Sequence, residues 1–196
     1  MFLSEWFLDK KTLLSKAIIN DYRIHQQVFD LFPNSSERNF LFCSEGVGGC
    51  EMRILIQSEA KPIIPNYGML EVKEINESFF NHGSYLFKSK FCPVIQKSHS
   101  KEVIPLKSEG DILKWLISRQ SDWGIDIYPE SFLKIGDGRM SMEQRANPRN
   151  ITIDYVEVTG VLSVNNRELF LKMIKHGIGR SKGFGLGLVQ LRPIFK

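Results

Sequence analysis

The chain has 196 residues, of which 42% are hydrophobic and 24% are charged, a balance typical of a folded globular protein and not of a disordered one. That length fits one ordinary domain or two small ones. The formal net charge of +4 at pH 7 is mildly basic, which is compatible with a nucleic-acid partner but does not require one.

The cysteines and the N-terminus exclude several classes of protein. Cys43, Cys50 and Cys92 are odd in number and contain no Cys-x-x-Cys pair, so neither a disulfide framework nor a zinc site is expected. A reducing cytoplasm is therefore the expected location. The N-terminus lacks the basic and apolar regions of a signal peptide, and no stretch reaches the ~20 apolar residues that span a bilayer. We expect no membrane partner.

The first part of the chain predicts four strands and one helical region. The strands are expected at residues 2–8, 39–44, 50–57 and 69–72. Residues 10–32 have apolar side chains at helical spacing and predict either one long helix or two helices with a break near Asn20. The run Gly46-Val47-Gly48-Gly49 predicts a hairpin turn between the two middle strands.

The later part of the chain predicts the order strand, helix, strand, strand, helix, strand. These elements are expected at residues 85–95, 109–119, 124–135, 151–164, 167–176 and 188–194. Ser108 is expected to cap the first of the two helices. This order is a complete split βαβ plan, and the first part is a less distinct copy of it. We therefore predict an α+β fold of two such units, residues 1–78 and 79–196, each with an antiparallel sheet covered by helices on one face.

The stretch from Gly177 to Gly187 combines glycine with positive charge. Five glycines in eleven residues permit positive φ angles and expose backbone N–H groups, and Arg180 and Lys182 lie among them. Gly177 is expected to end the preceding helix in the left-handed αL conformation. Such a loop suits a phosphate group, although the glycines could serve only close packing of helix against strand. The element order excludes a dinucleotide fingerprint and the spacing excludes a P-loop, so we expect no cofactor.

Tyr22 and His25 are candidates for chemistry in the first helical region. They lie three residues apart and therefore on the same side of the helix. A histidine can give or take a proton near neutral pH. The same positions are also typical of a histidine and a tyrosine that only pack at the edge of a core. Spacing alone leaves both interpretations open, and no His, Asp or Glu cluster has the spacing of a metal site.

Basic residues are concentrated in the later part of the chain. They lie in or beside the segment 136–149 and the glycine loop: Lys134, Arg139, Arg145, Arg149, Arg180 and Lys182. If both segments project from one face of the protein, these side chains form a cationic surface for a phosphate backbone. The alternative is a solvated hairpin that carries ordinary surface charge.

Two stretches together resemble the CRISPR repeat-processing endoribonucleases of the CasE (Cse3) type. Residues 22–33, Tyr-Arg-Ile-His-Gln-Gln-Val-Phe-Asp-Leu-Phe-Pro, resemble the first-helix motif of that branch. Residues 176–188 are similar to the C-terminal glycine loop of the wider repeat-associated RNA-binding superfamily. The resemblance implies two tandem ferredoxin-like (βαββαβ, RRM-like) domains and metal-independent cleavage of the hairpin in CRISPR repeat RNA. It also implies that the enzyme stays on the crRNA stem-loop with other subunits of a prokaryotic type I-E surveillance (Cascade) complex.

The resemblance also implies roles for individual residues. By motif position, His25 corresponds to the catalytic histidine and Tyr22 to an active-site tyrosine. Arg139, Arg145 and Arg149 lie where the family inserts a basic element against the RNA stem. Further RNA contacts are expected at Lys134 and along the glycine loop, at Gly179, Arg180, Ser181, Lys182, Gly183 and Gly185.

The reaction implied by the resemblance needs no metal, because the RNA supplies its own nucleophile. The 2′-OH beside the scissile phosphate attacks and leaves a 2′,3′-cyclic phosphate and a 5′-OH, with His25 as base or acid. Two other interpretations stay open. One is a non-catalytic RNA-binding subunit with the same fold, in which His25 only packs, and the other is a protein-interaction module with ferredoxin-like lobes.

Overall fold

The structure is a computed structural model that describes residues 1–18, 20–33, 38–47, 51–96, 102–144 and 147–195. The side chains of residues 47 and 141–151 lie outside this description. Of the predicted turn Gly46-Val47-Gly48-Gly49, Gly48 and Gly49 also lie outside it, whereas Gly46 and Val47 belong to a strand. In the described ranges no helix combines the length and the apolar character that a membrane crossing requires.

The first sheet contains four antiparallel strands with two helices on one face. The strands are β1 (Phe2–Asp9), β2 (Phe40–Val47), β3 (Glu51–Ser58) and β4 (Met69–Glu74), in the spatial order β2-β3-β1-β4. The helices are α1 (Lys10–Ser15) and α2 (Asp21–Asp30). The predicted break near Asn20 is confirmed, because the Asn20 side chain accepts a hydrogen bond from the Arg23 backbone N–H at 3.0 Å and caps α2.

The second sheet repeats this arrangement with additional strands. Its strands are β5 (Ser84–Phe91), β8 (Ile125–Ile127), β9 (Leu133–Gln144), β10 (Asn147–Val164) and β11 (Val189–Pro193). A separate two-stranded ribbon contains β6 (Val94–Gln96) and β7 (Val103–Pro105). The helices are α3 (Glu109–Ile117), α4 (Gln120–Trp123) and α5 (Arg167–His176). The spatial order is β11-β5-β10-β8, and β9 pairs with the first part of β10.

Both sheets have the strand order of a split βαβ plan. In the first sheet β4 lies beside β1, and β3 lies between β1 and β2; in the second sheet β11 lies beside β5, and β10 lies between β5 and β8. All of these pairings are antiparallel, as predicted. The division of the chain after residue 78 stays a prediction.

Two predicted strands are interrupted for local reasons. The strand expected at 85–95 ends at Phe91, because Pro93 lacks the N–H that a ladder needs, and the chain resumes as β6. The strand expected at 124–135 is interrupted by a 3₁₀ turn at Pro129–Ser131. The segment 136–149, predicted as a basic hairpin, belongs to the long strands β9 and β10, and residues 145–146 between them lie outside the described residues.

Glu45 connects the two sheets. Its carboxylate accepts hydrogen bonds from Arg53 on β3 at 2.5 Å and from Lys88 on β5 at 2.9 Å. The Glu45 side chain is only 20% exposed. Burial opposes its charged form, but the hydrogen bonds from Lys88 and then Arg53 outweigh burial and lower the pKa of Glu45 to about 2.

The glycine loop between α5 and β11 packs closely against its neighbours. Gly177, Gly179, Gly185 and Gly187 have φ angles of +68°, +73°, +81° and +85°. A Cβ on Gly187 would lie 2.4 Å from the Ile178 carbonyl oxygen, and one on Gly185 would lie 2.9 Å from Cε2 of Phe42. The packing interpretation of these glycines is therefore correct for this part of the loop.

Gly177 ends α5 with a positive φ, but the predicted αL conformation is wrong. Its ψ of 174° is extended, so the chain leaves the helix directly instead of curling back over it. The reason lies in the next residue, because the Ile178 N–H donates to the Gly187 carbonyl oxygen at 2.9 Å. The two ends of the glycine loop are thereby tied together.

The Glu45 contacts predict an acid-dependent loss of stability. Because the folded pKa lies below the ordinary value of 4.5, the contribution of Glu45 is complete above that value and is lost as the pH falls towards about 2. We expect Glu45→Gln to lower the free energy of unfolding by about 1 kcal/mol at pH 7 in urea titrations. The difference from the parent should shrink between pH 7 and pH 3.

Glu59→Gln is the matched control, because Glu59 pairs with Lys175 at 2.5 Å in an exposed position. Its effect should stay within about 0.5 kcal/mol. A loss at Glu45→Gln that does not change with pH would contradict the assigned pKa.

The packing of the glycine loop predicts that Gly187→Ala is destabilising. The new Cβ meets the Ile178 carbonyl oxygen, and the φ of +85° is unfavourable for alanine, so the cost should be about 1–3 kcal/mol. Gly110→Ala is the control, since nothing lies within 4 Å of a Cβ there. Thermal and urea unfolding of both variants measures the difference, and equal stabilities would refute the packing role.

Candidate active site

Helix α2 presents Tyr22, His25 and Phe29 beside its buried face. Ile24 and Val28 point into the core of the first sheet, whereas Tyr22 and His25 are half-buried and Phe29 is exposed. The ring centroids of Tyr22 and His25 are 6.0 Å apart in a stacked arrangement, and those of His25 and Phe29 are 4.3 Å apart. The expected placement of Tyr22 and His25 on one side of the helix is confirmed.

The His25 ring contacts the glycine loop directly. Its Nδ1 donates a hydrogen bond to the carbonyl oxygen of Gly183, which lies 158 residues later in the chain. A carbonyl oxygen can only accept, so Nδ1 carries the hydrogen. In the neutral ring, Nε2 then holds a free lone pair. The histidine is oriented as a proton acceptor at Nε2, with Phe184 packed 5.3 Å from the ring centroid.

Arg38 lies beside the same glycine. A Cβ on Gly183 would be 3.0 Å from Nη1 of Arg38 and 3.9 Å from Cε1 of His25. Although Arg38 as a residue is exposed, partial burial of its guanidinium lowers its pKa. Gly183 thus separates the histidine ring from a cation.

Lys182 completes a pair of positive charges at this point. Partial burial, followed by the positive charge of Arg38, lowers the pKa of Lys182. In the ranges that the structure describes, neither Arg38 nor Lys182 forms an ion pair with a carboxylate. Two cations held together in this way form a site suited to an anion such as a phosphate.

Sequence analysis missed Arg38. A single arginine ahead of a strand belongs to no motif, and 144 positions separate it from Lys182. Only the fold, which brings β2 next to the glycine loop, places the two charges together. No pattern in the sequence could have identified it.

The other predicted loop residues are distributed around this centre. The Arg180 backbone N–H donates to the Cys92 carbonyl oxygen at 3.3 Å, and its side chain is exposed. Ser181 adopts a left-handed conformation with φ of +60°. Gly185 packs against Phe42, and Gly179 packs against Cys92. Gly183 is therefore the predicted loop residue that contacts His25, and Lys182 directly before it lies beside Arg38.

The predicted basic residues of the hairpin are partly neutralised. Arg139 donates to Asp154 at 2.7 Å, and Lys134 pairs with Asp137. Arg145 lies outside the described residues, and of Arg149 only the backbone, in β10, is described. The structure does not bring Lys134 or Arg139 into contact with His25.

The hairpin nevertheless lies against helix α2. Tyr22 packs in a small cluster with the buried side chains of Met140 on β9 and Ile153 on β10. Lys90 on β5 lies 4.1 Å from the ring centroid of Tyr155 in the same cluster. The middle of the hairpin therefore packs against helix α2 beside Tyr22.

Comparison with known proteins gives relatives that extend over nearly the whole chain. The CRISPR system Cascade subunit CasE of Escherichia coli (strain K12) is 25% identical over 207 residues, which cover 94% of this chain and 98% of CasE. A structure of CRISPR endoribonuclease Cse3 bound to 19 nt RNA superposes with a TM-score of 0.86 at 18% identity, covering 98% of this chain and 100% of that one.

A second structure, Thermus thermophilus Cse3 bound to an RNA representing a pre-cleavage complex, has a TM-score of 0.81 at 18% identity and covers 98% of each chain. These likenesses confirm the fold of two tandem ferredoxin-like domains with antiparallel sheets. The family model described as CRISPR associated protein matches residues 1–193. This chain therefore belongs to the CRISPR associated protein family.

Proposed function

We propose that this chain is an endoribonuclease that cleaves repeat hairpins in precursor crRNA without a metal and stays bound to the crRNA stem-loop in a type I-E effector (Cascade) complex. The contact between the His25 ring and the Gly183 carbonyl carries the proposal, because it joins a proton acceptor to an anion site. Similarity to CasE, a Cascade subunit, and to Cse3, an RNA-bound endoribonuclease, supports the substrate class.

His25 is the proposed general base. Its Nε2 takes the proton of the 2′-OH beside the scissile phosphate, and the 2′ oxygen forms a bond to phosphorus. The bond from phosphorus to the 5′ oxygen breaks, which leaves a 2′,3′-cyclic phosphate and a 5′-OH after the 5′ oxygen gains a proton. The hydrogen bond from Nδ1 to Gly183 fixes the ring and stabilises the imidazolium that forms. Tyr22 is proposed to hold the imidazole plane by stacking on it.

Arg38 and Lys182 are proposed to bind the scissile phosphate. Negative charge builds up on its free oxygens in the transition state, and two cations already held in place stabilise that charge without reorganising. The lowered pKa of Lys182 also makes its ammonium a better proton donor for the departing 5′ oxygen.

The remaining predicted residues are proposed to hold the RNA away from the reacting atoms. In a double-stranded stem the base edges lie in a deep and narrow groove, so a protein grips mainly the phosphates. Arg139, Arg145 and Arg149 on the hairpin, with Lys134 at its base, have the charge for this contact. The exposed side chain of Arg180, with Gly179 and Ser181, would face the strand near the site, and the buried Gly185 would support the loop from behind.

His25→Ala should abolish most cleavage and preserve binding of the repeat hairpin. Loss of the general base should slow product formation by roughly 10²–10⁴-fold in single-turnover assays. His82→Ala is the matched control, because that ring contacts Phe195 and lies outside the site. The wild type should remain active in EDTA, and a 2′-deoxy nucleotide at the scissile position should block its reaction.

Loss of activity in EDTA would refute the metal-free mechanism. Tight hairpin binding by the wild type with no product under any condition would instead favour a non-catalytic subunit of the same complex, in which His25 only packs.

Arg38→Ala and Lys182→Ala should each slow cleavage by about 10²-fold, because each removes one cation from the phosphate site. Each should also reduce the salt dependence of hairpin binding by about one unit of log–log slope. Arg192→Ala, which removes an exposed arginine on β11, should leave both quantities unchanged. Parent-like rates and slopes in the Arg38 variant would remove it from the site.

A further inference from the structure

An open groove of about 590 Å³ lies between the glycine loop, strand β6 and helices α3 and α4. Its lining includes Gly177–Arg180 and Lys182 from the glycine loop and Trp115, Arg119 and Trp123 from the helical side. The volume is in the range of sites that bind small molecules or single nucleotides. Of the residues that the proposed reaction uses, Lys182 lines this groove, whereas His25, Tyr22 and Arg38 do not.

Aromatic side chains form one wall of the groove. Trp115 is 8% exposed, stacks on the buried Phe91 at 5.5 Å between ring centroids, and donates from Nε1 to the Val94 carbonyl oxygen at 3.1 Å. These contacts hold Trp115 rigidly. Trp123 lies against it with centroids 5.9 Å apart and is itself only half-buried. Trp123 therefore offers aromatic surface to a bound molecule.

Arg119 adds a second flat surface to this wall. Its guanidinium lies 4.8 Å from the ring centroid of Trp115, and the residue is otherwise exposed. A guanidinium held on a fixed indole is already oriented for a further stacking partner. Arginine planes and aromatic rings are the two surfaces on which proteins stack unpaired bases of RNA.

The charge of the groove has a single sign. Arg119, Arg180 and Lys182 are cationic, and none of the described residues that line the groove is acidic. Within the described ranges none of these three side chains forms an ion pair. The combination of flat stacking surfaces and unneutralised cations matches a ligand that contains both a base and a phosphate.

We propose that this groove binds one unpaired ribonucleotide of the RNA strand that passes through the active site. The inference rests on the proposed function. Lys182 lies both in the groove and beside Arg38 at the phosphate site, so the groove continues directly from the position of the scissile phosphate. A base inside the stem is covered by its neighbours on both faces, so the nucleotide belongs to the single-stranded segment that flanks the hairpin. The groove would thus select RNA whose hairpin continues into a free strand.

The test uses the full chain carrying His25→Ala, which keeps the RNA intact. Three kinds of RNA are compared at constant salt: the bare repeat hairpin, the hairpin with a short single-stranded flank on either the 5′ or the 3′ side, and the same flanked hairpins with abasic riboses in the flank. We expect the hairpin with one of the two flanks to bind more tightly than the bare hairpin, and we expect this gain to be lost when the flank is abasic. Adding Trp123→Ala or Arg119→Ala should weaken binding of the flanked hairpin about tenfold and leave the affinity for the bare hairpin unchanged.

Two control variants separate stacking from damage to the fold. Trp123→Phe should restore most of the base-dependent affinity, because a smaller ring still stacks. Tyr128→Ala removes a 40% exposed aromatic outside the groove and should change nothing. Unfolding temperatures of all variants verify that the fold is intact.

Equal base-dependent affinity in the parent and in the Trp123→Ala variant would overturn the inference. A parent that binds bare and flanked hairpins equally would also overturn it and would leave the groove to another class of ligand, such as a protein subunit. A parent that binds no hairpin would refute the proposed function itself, which is a distinct result.

Discussion

The hydrogen bond from His25 to the Gly183 carbonyl is the contact on which the site depends. It joins helix α2 to a loop near the other end of the chain. It also orients the imidazole ring through a backbone atom whose position is determined by the fold. The loop can come this close because Gly185 and Gly187 leave room for Phe42 and the Ile178 carbonyl, where any side chain would collide. Packing at one part of the loop thus brings another part to His25, where the proposed chemistry would take place.

Contacts between the two sheets keep this arrangement in register. Glu45 on β2 binds Lys88 on β5 at 2.9 Å, and the Gln57 side chain donates to the Ile174 carbonyl oxygen of α5 at 2.7 Å. These contacts hold the end of α5, and with it the start of the glycine loop, against the first sheet. Since proton transfer requires atoms within hydrogen-bond reach, a small shift between the sheets would be sufficient to disable the site.

The positive charges of this protein differ in whether they pair with a carboxylate, and this difference is more informative than their number. Arg139 and Arg53 have carboxylate partners, so much of their field is cancelled locally. Arg38 and Lys182 lie together without a carboxylate partner among the described residues, an arrangement that costs stability unless an anion arrives. The proposed phosphate position and the neighbouring groove both lie at cations that have no carboxylate partner among the described residues.

The sequence by itself determined the features that a few neighbouring residues decide: the break at Asn20, the Ser108 cap of α3, the order of strands and helices, and the shared face of Tyr22 and His25. Helical periodicity, caps and turns act over one or two turns of chain, so they can be read locally. Only the tertiary structure decided that Arg38 joins Lys182, that Arg139 is neutralised by Asp154, and that the histidine meets Gly183. These outcomes depend on which distant segments pack together, because charge and hydrogen bonding act through space and not along the sequence.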